Sequence, residues 1–195
     1  SKTFYSFDVI YRWVLIGFGR RFLSVSPEEM TAMVIYQVGA LKAFLDREGE
    51  PLHHVKPHGA MYSVTVDNYE LAKAMVAGIP KGVPLIYPGG GLVEKAANEM
   101  GHPFISETYG DVQYSDNGRL VIDRKKKPWD AETVKRHVMQ QLEGQATTTS
   151  GKVIPLSLKD YRISVCCHSD SPGCLEIIKH TREAIDEFNK KHGYV

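Results

Sequence analysis

The chain has 195 residues, of which 43% are hydrophobic and 24% charged, and its formal net charge is +1. This composition is typical of a globular protein, and the length suffices for one core, so we expect a single domain over residues 1–195. A charge so near zero gives no field to recruit nucleic acid, and no apolar run reaches the roughly 20 residues that span a bilayer. We therefore expect neither nucleic acid nor a membrane as a partner, and small-molecule chemistry is favoured.

A β-rich segment leads through a polar or glycine-rich junction into a helical pattern five times along the chain. The first predicted strand, residues 13–16, is followed by glycines and the pair Arg20 and Arg21. Ser26 and Glu29 then form the capping box of a long helix. Its predicted inward face consists of Met30, Met33, Val34, Val38, Leu41, Phe44 and Leu45.

The next two strand–helix units follow the same plan. Residues 52–55 predict a strand, and Asp67 with Glu70 predicts a capping box for the helix after it. The third strand, residues 84–87, leaves through the three glycines 89–91 into another helix. These glycines are a good turn signal and a weak phosphate signal, because they lack the lysine and hydroxyl of a P-loop.

The fourth predicted strand is residues 104–108, with Asp111 just beyond it. An Asp-Asn-Gly turn at residues 116–118 predicts a small hairpin. Asp130 opens a further helix, and residues 145–150 after it are predicted to be a polar loop.

The last predicted strand, residues 162–167, exits at His168. Ser171 and Pro172 are predicted to begin the C-terminal helix. The predicted inward residues of this helix are Leu175, Ile178, Ile185 and Phe188.

Three cysteines, Cys166, Cys167 and Cys174, are too few and too close together for a disulfide framework, and they lack the spacing of a structural zinc site. We expect them to be reduced, small apolar residues, which suits a cytoplasmic protein. Cys166 and Cys167 fall in an apolar strand where thiols stay protonated, so neither is predicted to be a nucleophile.

Strands that alternate with helices predict an α/β fold with a parallel sheet and right-handed crossovers. The sheet is either an open doubly wound one or part of a barrel, since periodicity does not distinguish the two. In both cases the strand exits share one edge, where such folds place their chemistry. The unusual polar residues of this chain lie at those exits.

Two strand exits carry the main catalytic candidates. Lys56 is suited to neutralise a phosphate or an oxyanion, and His58 to act as a general base or ligand; the alternative is a solvated lysine and a structural histidine. His168 and Asp170 repeat this pattern at the last strand, where a site role is favoured for His168. For Asp170, capping of the following helix is the stronger interpretation.

The remaining candidates are residues that would bind an anionic or polar substrate. Asp111 is a candidate carboxylate, although a lone aspartate in a turn is more often structural, and Arg124 is predicted to close over the same edge. Arg20 and Arg21 form a possible anion site, or else pair with acidic residues. The basic run 124–127 is interpreted as a solvated face, since it has no interleaved aromatics.

With these residues in view, the chain resembles the LamB/YcsF family, whose members are the A subunits of 5-oxoprolinase, from about residue 16 to residue 192. The matching segments are residues 17–21, 36–41, 54–62, 116–120 with Arg124, and 165–170. The lysine–proline–histidine–glycine segment within them is highly characteristic of the family.

The resemblance implies a deformed TIM-like barrel of the glycoside hydrolase/deacetylase type. It also implies ATP-dependent opening of 5-oxoproline to glutamate together with other 5-oxoprolinase subunits. Lys56, His58, Asp111, His168 and Asp170 would then line one site, with Lys56 at a phosphorylated lactam oxygen and His58 or His168 activating water. The resemblance leaves the use of a divalent metal ion open.

The family pattern also suggests alternatives. Family members begin with an acidic strand and further histidine-bearing exits, and nothing before residue 16 matches these, so we expect the N-terminal part of the barrel to be missing. One alternative is therefore a catalytically inactive paralogue that only binds a partner. Another is a metal-dependent hydrolase or deacetylase on the related fold.

Overall fold

The structure is a computed structural model that describes residues 8–9, 24–123, 125–158 and 162–194. The predicted strand at residues 13–16, together with Arg20, Arg21 and Arg124, lies outside the described residues. The chain divides into two compact units, Ser1–Ile105 and Ser106–Val195. The organisation as a single domain stays a prediction.

The first unit alternates short parallel strands with helices. Its elements are β1 (Asp8–Val9), α1 (Pro27–Glu48), β2 (Lys56–Pro57), α2 (Ala60–Val66), α3 (Tyr69–Ala77), β3 (Leu85–Tyr87), α4 (Leu92–Glu99) and the start of β4 (Phe104–Tyr109). β1 pairs with β2 in parallel, and Val55 forms a parallel bridge to Leu85. The Leu85 N–H in turn donates to the carbonyl of Pro103, just before β4.

Helix α1 forms as predicted because its ends carry strong local signals. The Ser26 hydroxyl accepts from the Glu29 N–H, while the Glu29 carboxylate accepts from the Ser26 N–H. Gly49 ends the helix in the left-handed region, at φ 71°, where a side chain would be strained. The prediction for Phe44 is wrong, because this ring is 68% exposed; the buried stripe runs through Met30, Met33, Val34, Gln37, Val38 and Leu45.

Three details of the first unit differ from the sequence-based expectation. The second strand lies at Lys56–Pro57, just beyond the predicted residues 52–55, and a short helix, α2, follows it directly. The N-cap of α3 is Asn68, whose side chain accepts from the Leu71 N–H. Asp67 is instead the C-cap of α2, so the predicted capping box is wrong.

The core of the first unit is built from methionine, valine and alanine side chains of α1, α2, α3 and α4 around Val55 and Leu85. Thr31 adds a hydrogen bond of 2.8 Å from its hydroxyl on α1 to the Ala74 carbonyl on α3. Gly78, after α3, allows this close contact, since a Cβ there would lie 2.6 Å from the Val34 Cβ. Small residues therefore set the spacing of α1 and α3.

The second unit combines the rest of β4 with α5 (Ala131–Leu142), β5 (Gln145–Thr147), β6 (Val153–Pro155), β7 (Ile163–Cys166) and α6 (Cys174–His192). β4 and β7 are parallel, with Tyr109 beside Cys166. β5 and β6 pair antiparallel, so the prediction of a polar loop at residues 145–150 is wrong for its first half. The turn at residues 116–118 forms the predicted hairpin, with Tyr114 bridged to Leu120.

Helix α6 packs on α5 with a face that only partly matches the predicted one: Phe188 is buried and Ile185 is partly buried against the same core, as predicted. Its buried residues are Ile177, Thr181, Ala184 and Phe188. Leu175 and Ile178, which the sequence pattern places inside, are 79% and 47% exposed. Helix α6 approaches the end of β4 closely, because a Cβ on Gly110 would lie 2.7 Å from the Thr181 hydroxyl. Only small residues therefore fit at this contact.

The observed architecture confirms an α/β fold with parallel strands. The strands found among the described residues do not close into a barrel. No helix in the described parts of the chain is long and apolar enough to cross a membrane.

Candidate functional site

The parallel pairing of β4 with β7 brings the residues after the two strands together. The Gly110 N–H donates to the Cys166 carbonyl at 2.8 Å and extends the pairing by one residue. Asp111 follows Gly110, and His168 follows Cys167. The carboxyl ends of two neighbouring parallel strands thus place a carboxylate beside an imidazole, as the sequence predicts for this edge.

Asp111 is the centre of the site. Its side chain is 1% exposed. Oδ1 lies 2.9 Å from His168 Nδ1, and Oδ2 accepts from the His168 N–H at 3.1 Å and from the Ser171 hydroxyl. This set of contacts holds the carboxylate and fixes the orientation of the imidazole, so Asp111 is more than a turn residue.

The site also contains Lys126, a residue that the sequence does not predict to be there. Its ammonium donates to Asp170 Oδ1 at 2.8 Å and to the Ser171 hydroxyl at 2.9 Å, and it lies 3.8 Å from Asp111 Oδ2. Its side chain is 22% exposed, whereas Lys125 and Lys127 are exposed. The basic run is therefore a solvated face only in part, and no local sequence signal separates Lys126 from its neighbours.

The electrostatics of the Asp111–His168 pair follow from this packing. Burial by itself would raise the pKa of Asp111, but hydrogen bonds from His168 and Ser171 outweigh it and lower that pKa. The hydrogen bond to Asp111, with a further contribution from Cys166, raises the pKa of His168 to about 10 against the opposing effect of burial. At neutral pH the pair is an imidazolium beside a carboxylate.

Asp170 and Ser171 have different roles from those expected. Helix α6 begins after the N-cap Gly173, which has no side-chain cap, so neither residue caps it and the helix does not begin at Ser171 and Pro172. Asp170 instead accepts from Lys126, and Ser171 donates to Asp111. Both residues belong to the site around Asp111.

Lys56 and His58 lie in the first unit, at the end of β2 and just before α2. Both are half-buried. Gly59, at φ 60° and ψ −130°, makes the turn into α2 in a conformation that L side chains rarely adopt. His58 thus lies just after a strand, as predicted, whereas Lys56 lies within β2 rather than after it. Their convergence with Asp111 and His168 stays a prediction.

The glycine turn before α4 does not fit a phosphate group. The Gly90 N–H donates to Glu94 Oε2 at 2.6 Å, so the hydrogen bond of this amide is already accepted by a carboxylate. Glu94 also brings negative charge to the helix N-terminus, where it would repel a phosphate. The triple glycine of this chain is a turn.

The donors around Asp111 also do not suit a metal ion. No group of three histidine, cysteine, aspartate or glutamate side chains in the described ranges is arranged to hold one. The ammonium of Lys126 lies between Asp170 and Asp111 and supplies the positive charge there. No role is therefore assigned to a metal.

The fold and site define an α/β protein with a carboxylate–imidazole–lysine cluster at the ends of two parallel strands. The LamB/YcsF family model matches residues 14–193, and the chain belongs to the LamB/YcsF family. The resemblance drawn from the sequence is thus confirmed.

Curated relatives and a solved structure agree with this assignment. The lactam utilization protein lamB of Emericella nidulans is 61% identical over 179 residues, which is 91% of this chain and 71% of the relative. The 5-oxoprolinase A subunit of Coprothermobacter proteolyticus is 38% identical over 184 residues, covering 89% of this chain and 67% of the relative. The crystal structure of a lactam utilization protein from Thermus thermophilus matches with a TM-score of 0.77 and 34% identity, covering 90% of this chain and 70% of that one.

Proposed function

We propose that this chain acts as the A subunit of a 5-oxoprolinase, which opens the lactam ring of 5-oxoproline to glutamate at the expense of ATP. The observation that carries the proposal is the buried Asp111–His168 pair with Lys126 beside it. The names of the relatives support the reaction and imply further subunits. In this proposal the parallel strands belong to a deformed TIM-like barrel and the protein works in the cytoplasm.

His168 is the proton donor of the proposed reaction. Because Asp111 keeps it protonated at neutral pH, it begins as an acid rather than as the base suggested by the sequence. Nδ1 is held by Asp111, which leaves the Nε2 proton for the ring nitrogen as the lactam C–N bond breaks. The neutral imidazole can then take a proton from an attacking water.

Lys126 provides the positive charge for an anionic substrate. 5-Oxoproline carries a carboxylate beside its ring, and a half-buried ammonium attracts such a group more strongly than a fully solvated one. Lys126 is held by Asp170 and Ser171 at the same edge as His168. Lys56 and His58, which lie in the first unit, are also proposed to be catalytic.

ATP supplies a leaving group on the lactam oxygen, which makes the poorly electrophilic amide carbon reactive. Among the described residues, the glycine-rich turn before α4 is not proposed to bind the nucleotide, because its Gly90 amide already donates to Glu94. The partner subunits are therefore proposed to bind it.

The test is ATP-dependent glutamate formation from 5-oxoproline by the chain reconstituted with its partner subunits. We expect His168→Gln to lower the rate by about 100-fold or more, because a general acid contributes a factor of this order. His180→Gln is the matched control, since His180 lies on α6 and its ring nitrogens contact the carboxylates of Glu176 and Glu183 on the same helix.

The control variant should keep the rate of the unmodified complex. Full activity of His168→Gln would contradict the role of the Asp111–His168 pair. Absence of glutamate formation by the unmodified complex would contradict the proposed reaction itself.

A further inference from the structure

Cys166 lies next to the catalytic imidazole. It is the last residue of β7, two positions before His168, and side chains two apart in a strand point to the same face. Its Sγ is 3.8 Å from His168 Nε2, while His168 Nδ1 is 2.9 Å from Asp111 Oδ1. Thiol, imidazole and carboxylate thus follow one another in the order that activates a nucleophile.

The other two cysteines do not share this arrangement. Cys167 points the other way, with Sγ 3.6 Å from the Thr181 hydroxyl, and burial raises its pKa. Cys174 begins α6. Within the described residues, Cys166 is therefore the cysteine that contacts an imidazole oriented by a carboxylate.

Access to Cys166 also differs from the sequence-based expectation. An apolar strand is expected to bury its thiols, but Cys166 is only partly buried. It borders the small cluster formed by Tyr109, Val112 and Tyr114. A side chain that reaches both solvent and an imidazole is suited to chemistry.

We propose that Cys166 is the nucleophile of this site, with His168 as its acid–base partner and Asp111 as the residue that orients His168. The inference deepens the proposed lactam opening and rests on it. The substrate class is a cyclic amide whose carbonyl carbon is attacked by sulfur.

The proposed step conserves atoms and electrons. The Cys166 thiol releases its proton to solvent beside the protonated His168. The thiolate forms a C–S bond to the lactam carbon that carries the phosphorylated oxygen, and the C–O bond breaks as phosphate leaves with the electron pair. Water adds to the resulting C=N bond with loss of one proton to solvent. The ring C–N bond then breaks: the new hydroxyl becomes the carbonyl as its proton goes to solvent, and the nitrogen takes the electron pair together with the Nε2 proton of His168. A water molecule then attacks the resulting thioester and gives one proton to His168. The C–S bond breaks, the sulfur leaves as thiolate, and the new carboxyl group releases its proton to solvent.

The first test is the alkylation of the full chain by iodoacetamide, followed for each cysteine by peptide mass spectrometry. We expect Cys166 to react at least about tenfold faster than Cys174, because an imidazole partner makes a thiol more reactive. His168→Gln should bring the rate of Cys166 down to that of Cys174. Equal rates of the two cysteines in the unmodified chain would overturn the proposal.

The second test uses the reconstituted complex with 5-oxoproline and ATP. Cys166→Ser should lower glutamate formation by about 100-fold or more, and acid-quenched unmodified chain should carry the acyl group on the peptide that contains Cys166. Cys174→Ser is the matched control and should keep the full rate.

The outcomes separate the two proposals. If the unmodified complex forms glutamate and Cys166→Ser does so equally fast, the nucleophile is overturned while lactam opening stands. If the unmodified complex forms no glutamate, lactam opening fails and the role of Cys166 in it fails as well. Selective alkylation of Cys166 would in that case still identify a reactive thiol.

Discussion

Asp111 keeps its charge although its side chain is almost completely buried. A buried carboxylate without partners becomes neutral, because low dielectric penalises the ion. Here the His168 N–H, the His168 ring and the Ser171 hydroxyl donate to it, and Lys126 adds a positive charge at 3.8 Å. The charge of Asp111 in turn determines the protonation of His168.

The pH dependence of His168 is a direct consequence. Its pKa in the folded chain is about 10, above the ordinary 6.5, so the pair stabilises the fold fully below about pH 6.5 and loses this contribution as pH rises towards 10. Asp111, Cys166 and the stacked ring of Tyr109 are titratable groups that face the His168 ring, with Lys126 and Asp170 at the next contact.

Two-dimensional NMR of the imidazoles checks this expectation. The His168 ring should stay protonated through neutral pH, well above the ordinary imidazole pKa of about 6.5. The stability advantage of the unmodified chain over His168→Gln should shrink as the pH rises from about 6.5 towards 10. Titration of His168 near its ordinary pKa would show that Asp111 does not hold its proton.

At this scale the sequence predicts the residues that directly follow strands. Asp111, His168, Lys56 and His58 are candidates because strand exits share one edge of a parallel sheet. Lys126 could not be predicted, since it reaches Asp170 and Ser171 from a distant loop and resembles its basic neighbours. The sequence argues against Cys166 because the exposure of this thiol depends on packing, which the apolar pattern of a strand does not show.

At the scale of elements, β4 and α6 meet at Gly110. A Cβ at this position would lie 2.7 Å from both the Cys167 Sγ and the Thr181 hydroxyl, closer than real Cβ contacts. Thr181, a small residue on the buried face of α6, makes this contact from the helix side. The position of α6 depends on the absence of a side chain at Gly110. The position of the preceding segment, which carries His168 and Ser171, depends on it as well.

We expect Gly110→Ala to lower the free energy of unfolding by about 1–3 kcal/mol, as overpacked sites do. Gly39→Ala is the matched control: Gly39 lies within α1 and nothing is within 4 Å of a Cβ built there, so helix propensity should raise stability by about 0.5–1 kcal/mol. Urea denaturation of both variants measures these changes. An unchanged stability of Gly110→Ala would show that the contact can relax.

Local chemistry explains which elements could be predicted. The predicted ends of α1 and N-cap of α5 are correct because Ser26 with Glu29, and Asp130 with Thr133, act within one helical turn. The predicted burial of Leu175, Ile178 and Phe44 is wrong, because burial depends on what packs against each helix. β5 and β6 could not be predicted, because three-residue strands are too short to show an alternating pattern of hydrophobic and polar residues.

At the scale of the whole molecule, the family match runs from residue 14 to residue 193 and so includes both compact units. The LamB/YcsF resemblance is visible from the sequence because its motifs are spread along the chain. The catalytic candidates are spread in the same way, with Lys56 and His58 in one unit and Asp111 and His168 in the other.

The most direct measurement is the rate of ATP-dependent glutamate formation by the reconstituted complex, determined with the unmodified chain and with Asp111→Asn. We expect ATP-dependent glutamate formation with the unmodified chain and a loss of about 100-fold or more with Asp111→Asn, because the imidazole then loses its orienting carboxylate. Asp186→Asn, on the exposed side of α6, should leave the rate unchanged. Glutamate formation by Asp111→Asn at the full rate would contradict the account.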